Sequence, residues 1–190
     1  SEGVVRKFQM SRAVFLDRDG TLNVEREYLH DPEALEIIPG AGPALRRLID
    51  AGFDLFIVTN QSGIGRGYYT ESDMHAVNKK LATELAADGV EFVKVYYAPE
   101  APNQDGPGRK PSPKFLHDAA SQFDIDLEES FMVGDKIADL GCGWNAGVKK
   151  SILVRTGYGA ELEKSEPEAV AKAVIVDDVA GAADWILTNS

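Results

Sequence analysis

Continuous apolar runs rich in β-branched residues alternate with segments of helical period along this chain, and that alternation most constrains its fold. The strand candidates are Ala13–Leu16, Phe53–Thr59, Phe92–Tyr97, Ser130–Val133, Ser151–Val154 and Ala173–Val176. Several are apolar at every position, as strands covered on both faces require. Helical patterns fill the gaps. Ala44, Leu45, Leu48 and Ile49 share one face, and Thr70 with Asp73 reads as a capping box ahead of Met74, Val77, Leu81 and Leu85. Ser112 reads as an N-cap and Pro113 as the first residue of a helix carrying Phe115, Leu116, Ala119 and Phe123. A last helix carries Val179, Ala182, Ala183, Ile186 and Leu187. Strand alternating with helix predicts an α/β fold: a central parallel sheet with right-handed crossovers and a helical layer on each face.

The 190 residues suffice for one domain with a sizeable core, placed at 13–190. Residues 1–12 are read as an N-terminal tail, or an expression remnant as far as Gln9, leading into the first strand. The net charge of −11 argues against a nucleic-acid partner or an anionic membrane surface, since phosphate backbones are held by Lys and Arg. Cys142 stands alone, which excludes an intrachain disulfide and suits a cytoplasmic setting. No apolar run reaches membrane-spanning length.

Ligands of open α/β sheets bind beyond the carboxyl ends of the strands, and four polar clusters fall there. Asp17-Arg18-Asp19-Gly20-Thr21 follows the first run. Two carboxylates spaced i and i+2 on a strand share a side, so they could serve as nucleophile and proton carrier. The string also overlaps the opening of a calcium loop, but Thr21 lies where that loop needs an acid. Thr59-Asn60-Gln61-Ser62-Gly63 follows the second run and could surround an anion with a hydroxyl and backbone N–H groups. Arg109-Lys110-Pro111 precedes a helix, and Pro111 biases Lys110 away from helical geometry. Gly134-Asp135-Lys136-Ile137-Ala138-Asp139 follows the fourth run. Each cluster alone has a bland alternative, such as helix capping, a polar turn or a solvated basic pair. Four in this order, each after a strand, point to one site. Gly63–Gly67, Ala98–Gly108 and Gly157–Glu168 read as irregular segments.

At these residues the chain resembles the haloacid dehalogenase (HAD) superfamily of phosphohydrolases. Within it, Phe15–Asn23, Thr59–Gly67, Arg109–Pro111 and Val133–Lys136 resemble the D-glycero-D-manno-heptose 1,7-bisphosphate phosphatases and, less fully, the histidinol phosphatases and the phosphatase domain of polynucleotide kinase-phosphatases. The resemblance implies a HAD-like, Rossmannoid three-layer sandwich. The spacing from Asp19 to Thr59 and from Asn60 to Lys110 leaves no room for a cap domain. It also implies an aspartyl-phosphate mechanism. Asp17 is the nucleophile, Asp19 the acid–base, Thr59 the group that orients phosphoryl oxygens, and Lys110 the cation that balances the negative charge on Asp17 and the phosphate. Mg²⁺ is held by the Asp17 and Asp135 carboxylates and the Asp19 carbonyl. Glu25, Tyr28, Asn60, Gln61, Ser62, Arg109 and Lys110 are the implied substrate contacts, with Lys136 and Asp139 as supporting residues. Relatives often carry a Cys/His zinc loop before Arg-Lys-Pro. Ala98–Gly108 has neither residue, so no zinc is expected.

The implied function is removal of the 7-phosphate of the heptose bisphosphate in nucleotide-heptose biosynthesis for lipopolysaccharide, capsule or S-layer glycan. The expected enzyme is monomeric and acts on a small phosphorylated sugar. Histidinol phosphate is the alternative substrate. A non-catalytic phosphoacceptor domain is the alternative of another class, which Asp19 argues against because receivers lack that second acid. A mutase would share the Asp pair but would need a cap to keep water from its intermediate.

Overall fold

The computed structural model describes residues 10–190, so the tail expected before Met10 lies outside the described residues. Six strands form one parallel sheet: β1 (Arg12–Leu16), β2 (Phe53–Asn60), β3 (Lys94–Ala98), β4 (Phe131–Gly134), β5 (Lys150–Val154) and β6 (Val174–Val176). Their spatial order is β3-β2-β1-β4-β5-β6, with every pair parallel. β1 is therefore central, and successive strands leave it first to one side and then to the other.

The apolar runs are continuous because both faces of the sheet are buried. Val14 and Leu16 face one cluster with Leu55, Ile57 and Val133, packed under Leu45 and Leu48 of α1 (Ala41–Asp50), Leu81 of α3 (Glu71–Ala86) and Ile186 of α7 (Val179–Asn189). Ala13 and Phe15 face the opposite cluster with Phe56, Val58 and Met132, under Leu116 of α4 (Lys114–Phe123) and Cys142 of α5 (Ile137–Ala146). Alternate residues of one strand thus supply two cores. The result is the expected three-layer α/β sandwich.

The connection from β1 to β2 holds a 3₁₀ turn (Pro32–Ala34) and α1; that from β2 to β3 holds α2 (Ser62–Gly65) and α3. Neither contains a cap domain, so the carboxyl edge of the sheet stays open. The capping box at Thr70 and Asp73 forms as expected, at 3.1 and 2.9 Å. No helix among the described residues is long and apolar enough to cross a membrane.

Several expectations are corrected. Gly157–Glu168 is not irregular throughout, because α6 (Gly159–Ser165) forms within it. Leu162 holds that short helix against Leu140, Leu153 and Val170, a tertiary contact that local propensity does not reveal. The glycine-rich Gly63–Gly67 segment begins as one helical turn, tied to the next loop by Gly65 N–H donating to Pro99 O at 2.7 Å. The N-cap of α4 is Pro113 rather than Ser112, whose hydroxyl donates to Pro107 O at 2.8 Å.

Candidate active site

Asp17 follows β1 directly, and its N–H donates to Val133 O of β4 at 3.0 Å. Asp19 does not extend the strand. The chain turns back so that Arg18 O accepts from the N–H groups of Thr21, Leu22 and Asn23, at 3.2, 2.9 and 3.3 Å. The pairing of Asp17 with Asp19 therefore comes from a tight loop, not from the pleat of a strand. Glycine is required inside that loop. Gly20 has φ +84°, and a Cβ there would lie 2.2 Å from Asp135 Oδ2. Gly157, with φ +58°, meets the same oxygen from the loop after β5, also at 2.2 Å.

Lys110 is the centre of the electrostatics. Its Nζ donates to Asp17 Oδ1 at 2.9 Å and to Val58 O at 2.7 Å, and lies 2.6 Å from Asp139 Oδ1. Those contacts occupy the three donors of the ammonium. Burial opposes the charged form of Lys110, but Asp139 and Asp17 outweigh it and raise the pKa above the ordinary lysine value. Asp139 does more than cap α5: its Oδ2 accepts from the N–H groups of Asp135 and Lys136 at 3.1 and 3.0 Å. Lys110 is itself held by Asn60, whose Oδ1 accepts its N–H at 3.0 Å and whose Nδ2 donates to its carbonyl at 3.3 Å.

Asp135, at the tip of β4, is wholly buried. Its Oδ2 accepts from Tyr158 N–H at 3.0 Å, while its Oδ1 has no partner among the described residues. Burial, then the charges of Asp17 and Asp139, push its pKa up to about 9. Burial and the Asp139 charge likewise push Asp17 up to about 6, against the pull of Lys110. Oxygens of Asp17, Asp135 and Asp139 lie within 4.8 Å of one another. Asp139 is already committed to Lys110 and two amides. The orphaned oxygen of Asp135 and the carboxylate of Asp17 are thus the side-chain groups left for a cation. Among the described residues the Asp19 carbonyl has no backbone donor, since the hydrogen bonds of this loop go to Arg18 O and Asn23 O. An all-oxygen set with buried anionic charge suits a hard divalent ion such as Mg²⁺.

Asp19 has the opposite environment. Burial favours its neutral form, but Arg18 and hydrogen bonds from Asn23 Nδ2 (3.0 Å), Arg18 Nη2 (3.2 Å) and Gln61 Nε2 (3.1 Å) lower its pKa. Thr59 Oγ1 accepts from Gln61 Nε2 at 2.7 Å, leaving its own proton for another acceptor.

Above these groups lies a cavity of about 270 Å³. Asp17, Asp19, Glu25, Tyr28, Asn60, Gln61, Ser62, Arg109, Lys110, Lys136 and Asp139 all line it, so the fold gathers these sequence-predicted residues from four strand ends. Asp135 and Thr59 are buried and are not among its lining residues. Glu25 Oε1 accepts from Glu27 N–H at 2.8 Å, and burial followed by repulsion from Asp19 raises its pKa. One lining residue, Tyr158, escapes sequence reasoning, because it follows a strand that no polar cluster marks. Tyr158 sits at the rim, with Lys136 Nζ 5.0 Å from its ring centre. Arg18 reads in the sequence only as the residue between two acids, yet it is the largest fully buried side chain.

A family model described as HAD-hydrolase-like matches residues 108–182. The chain is 42% identical over 189 residues to a D-glycero-D-manno-heptose-1,7-bisphosphate 7-phosphatase of Thermosynechococcus vestitus, covering 93% of this chain and 96% of that one. It belongs to the heptose-bisphosphate phosphatase family of HAD-like hydrolases. A family member from Escherichia coli K12, a D-glycero-beta-D-manno-heptose-1,7-bisphosphate 7-phosphatase, is 38% identical over 184 residues, covering 93% of this chain and 88% of its own. The crystal structure of another heptose-bisphosphate phosphatase, from B. bronchiseptica, superposes with a TM-score of 0.85 at 30% identity over 94% of this chain and 99% of that chain. That protein is complexed with magnesium and phosphate.

Proposed function

We propose that this protein is a Mg²⁺-dependent phosphomonoesterase that removes the 7-phosphate of D-glycero-D-manno-heptose 1,7-bisphosphate in nucleotide-heptose biosynthesis. The observation that carries the reading is Lys110 Nζ held 2.9 Å from Asp17 and 2.6 Å from Asp139, beside the unpartnered oxygen of Asp135 and under a polar cavity. Asp17, Asp135 and the Asp19 carbonyl would hold the ion, which when bound neutralises phosphoryl charge.

In the first step a carboxylate oxygen of Asp17 forms a bond to phosphorus while the bond to the sugar oxygen breaks. A carboxylate is a weak nucleophile, so positioning and charge neutralisation supply its activation. Lys110 keeps Asp17 aimed and offsets the negative charge gathered there. The Thr59 hydroxyl, oriented by Gln61, donates to a phosphoryl oxygen. Asp19, which must enter this step protonated against the pull of Arg18, delivers that proton to the departing alkoxide, a contribution of about 10²–10⁴-fold. In the second step a water attacks phosphorus, Asp19 takes its proton, and the bond to Asp17 breaks to release phosphate. Arg109 and Lys136 are the remaining cations of the cavity and suit the second phosphate of the sugar. One chain supplies every group named, which supports a monomer. The acidic, single-cysteine composition supports work in the cytoplasm without a nucleic-acid partner.

The test is kcat/KM for both anomers of the heptose bisphosphate beside histidinol phosphate, with Mg²⁺ and with chelator. One anomer should be preferred and chelator should abolish turnover. Equal, poor rates on all three substrates would refute the assignment.

A further inference from the structure

The buried guanidinium of Arg18 is not explained by packing. Its Nη1 donates to Asn78 Oδ1 of α3 at 2.9 Å, and its Nη2 reaches Asp19 Oδ1 at 3.2 Å and Gln61 Oε1 at 3.4 Å. Its Nε is buried with no partner among the described residues. A hydrophobic residue of similar volume would fill the space without that desolvation cost. The position therefore needs the fork of donors, and the fork points at one carboxylate and one amide.

The Gln61 amide is constrained from both ends. Its Oε1 accepts from Tyr69 Oη at 2.5 Å as well as from Arg18, and its Nε2 donates to Asp19 Oδ2 at 3.1 Å and Thr59 Oγ1 at 2.7 Å. Turned over, the amide would set its oxygen against the Asp19 carboxylate and its NH₂ against the guanidinium. Arg18 and Tyr69 thus dictate which way the amide faces. The amide in turn ties the acid–base of the reaction to the hydroxyl beneath the phosphate.

We propose that Arg18 is a positioning residue for leaving-group protonation, acting through Asp19 directly and through the Gln61 amide that Tyr69 braces. This rests on the reading of Asp19 as the acid. An acid that is misplaced matters for a poor leaving group, such as a sugar alkoxide, and hardly for p-nitrophenolate, which departs without a proton. The ratio of kcat/KM values for a sugar phosphate and for p-nitrophenyl phosphate therefore reads Asp19 placement. It also excludes dephosphorylation of Asp17, because kcat/KM stops at the first irreversible step. General damage to the site would lower both values together.

The test compares Arg18→Met, Tyr69→Phe and Asp19→Asn with the parent enzyme, all with Mg²⁺. Asp19→Asn should lose about 100-fold or more on the sugar phosphate and far less on the aryl phosphate. Arg18→Met should lose about 10-fold or more on the sugar phosphate and under about 3-fold on the aryl phosphate, a part of the same acid contribution. Tyr69→Phe keeps the ring and removes one hydroxyl, so it should shift the ratio in the same direction by a smaller factor, even if Arg18→Met does not fold. An unchanged ratio in Tyr69→Phe and in any folded Arg18→Met overturns the proposal alone. An unchanged ratio in Asp19→Asn overturns the reading of Asp19, and the proposal with it.

Discussion

Replacing Asp135 by Asn should remove activity and yet stabilise the metal-free protein. The carboxylate is fully buried, with Oδ1 unpaired and with Asp17 and Asp139 as charged neighbours. Its pKa rises from 3.8 to about 9, so the folded state holds a proton that the unfolded chain releases. Stability from this group is complete below the unfolded value and is lost as pH rises towards the folded one. Each pH unit in that window carries about 1.4 kcal/mol, so pH 4 to 7 sets an upper bound of about 4 kcal/mol. Asp17 shares the same repulsion, and half of the bound, about 2 kcal/mol, is the expected gain for the amide. Asn can keep the bond from Tyr158 N–H through its oxygen. In a chain of this size the gain corresponds to a rise in Tm of about 4–8 °C. Thermal unfolding followed by circular dichroism in chelator checks it at pH 7.5, with a smaller difference expected at pH 5. Mg²⁺ should raise the Tm of the parent protein and leave that of Asp135→Asn nearly unchanged. A variant that is less stable than its parent at pH 7.5 in chelator, with no dependence on pH, would refute the reasoning.

Lys110→Met strips the shared cation from Asp17 and Asp139 and should destabilise the fold by about 3–5 kcal/mol, measured by urea unfolding, with turnover reduced at least about 100-fold. Gly157→Ala drives a methyl against Asp135 Oδ2 and strains a left-handed residue; metal titration followed by Tm should show weaker Mg²⁺ binding and a loss of about 1–2 kcal/mol in stability. Thr70→Ala removes the hydroxyl half of the capping box of α3; chemical denaturation should give a loss of about 1 kcal/mol.

Much of the site is legible in the sequence, because strand ends announce themselves. An apolar run that stops at a charged or polar residue marks the edge of a sheet, and Asp17, Thr59 and Asp135 each close or follow such a run. Lys110 is legible for a different reason, since the following proline ends regular structure there. Tyr69, Arg18 and Tyr158 are not legible in their roles. They lie in a helix approach, between two more conspicuous acids, and in a segment whose composition reads as irregular. Their roles depend on what they touch across 8, 43 and 23 residues of sequence: the Gln61 amide for Tyr69 and Arg18, and the Asp135 carboxylate for Tyr158.

Local chemistry thus determined the class of fold and the cast of the site: the periods of the apolar residues define the layers, and polar residues after each run define the reactive edge. Only the tertiary structure decided how that cast divides its labour. Asp17 and Asp19 are two residues apart, yet burial and the charge of Asp139 raise one and the Arg18 fork lowers the other. Asp139 has the sequence position of a cap and is the counter-ion of Lys110. Asn60 has that of a substrate contact and clamps the Lys110 backbone. Each of these roles comes from a partner on another element. Charge and hydrogen-bond energies depend on distance in space and on the water excluded between the groups, and neither quantity is written in the spacing of residues along the chain.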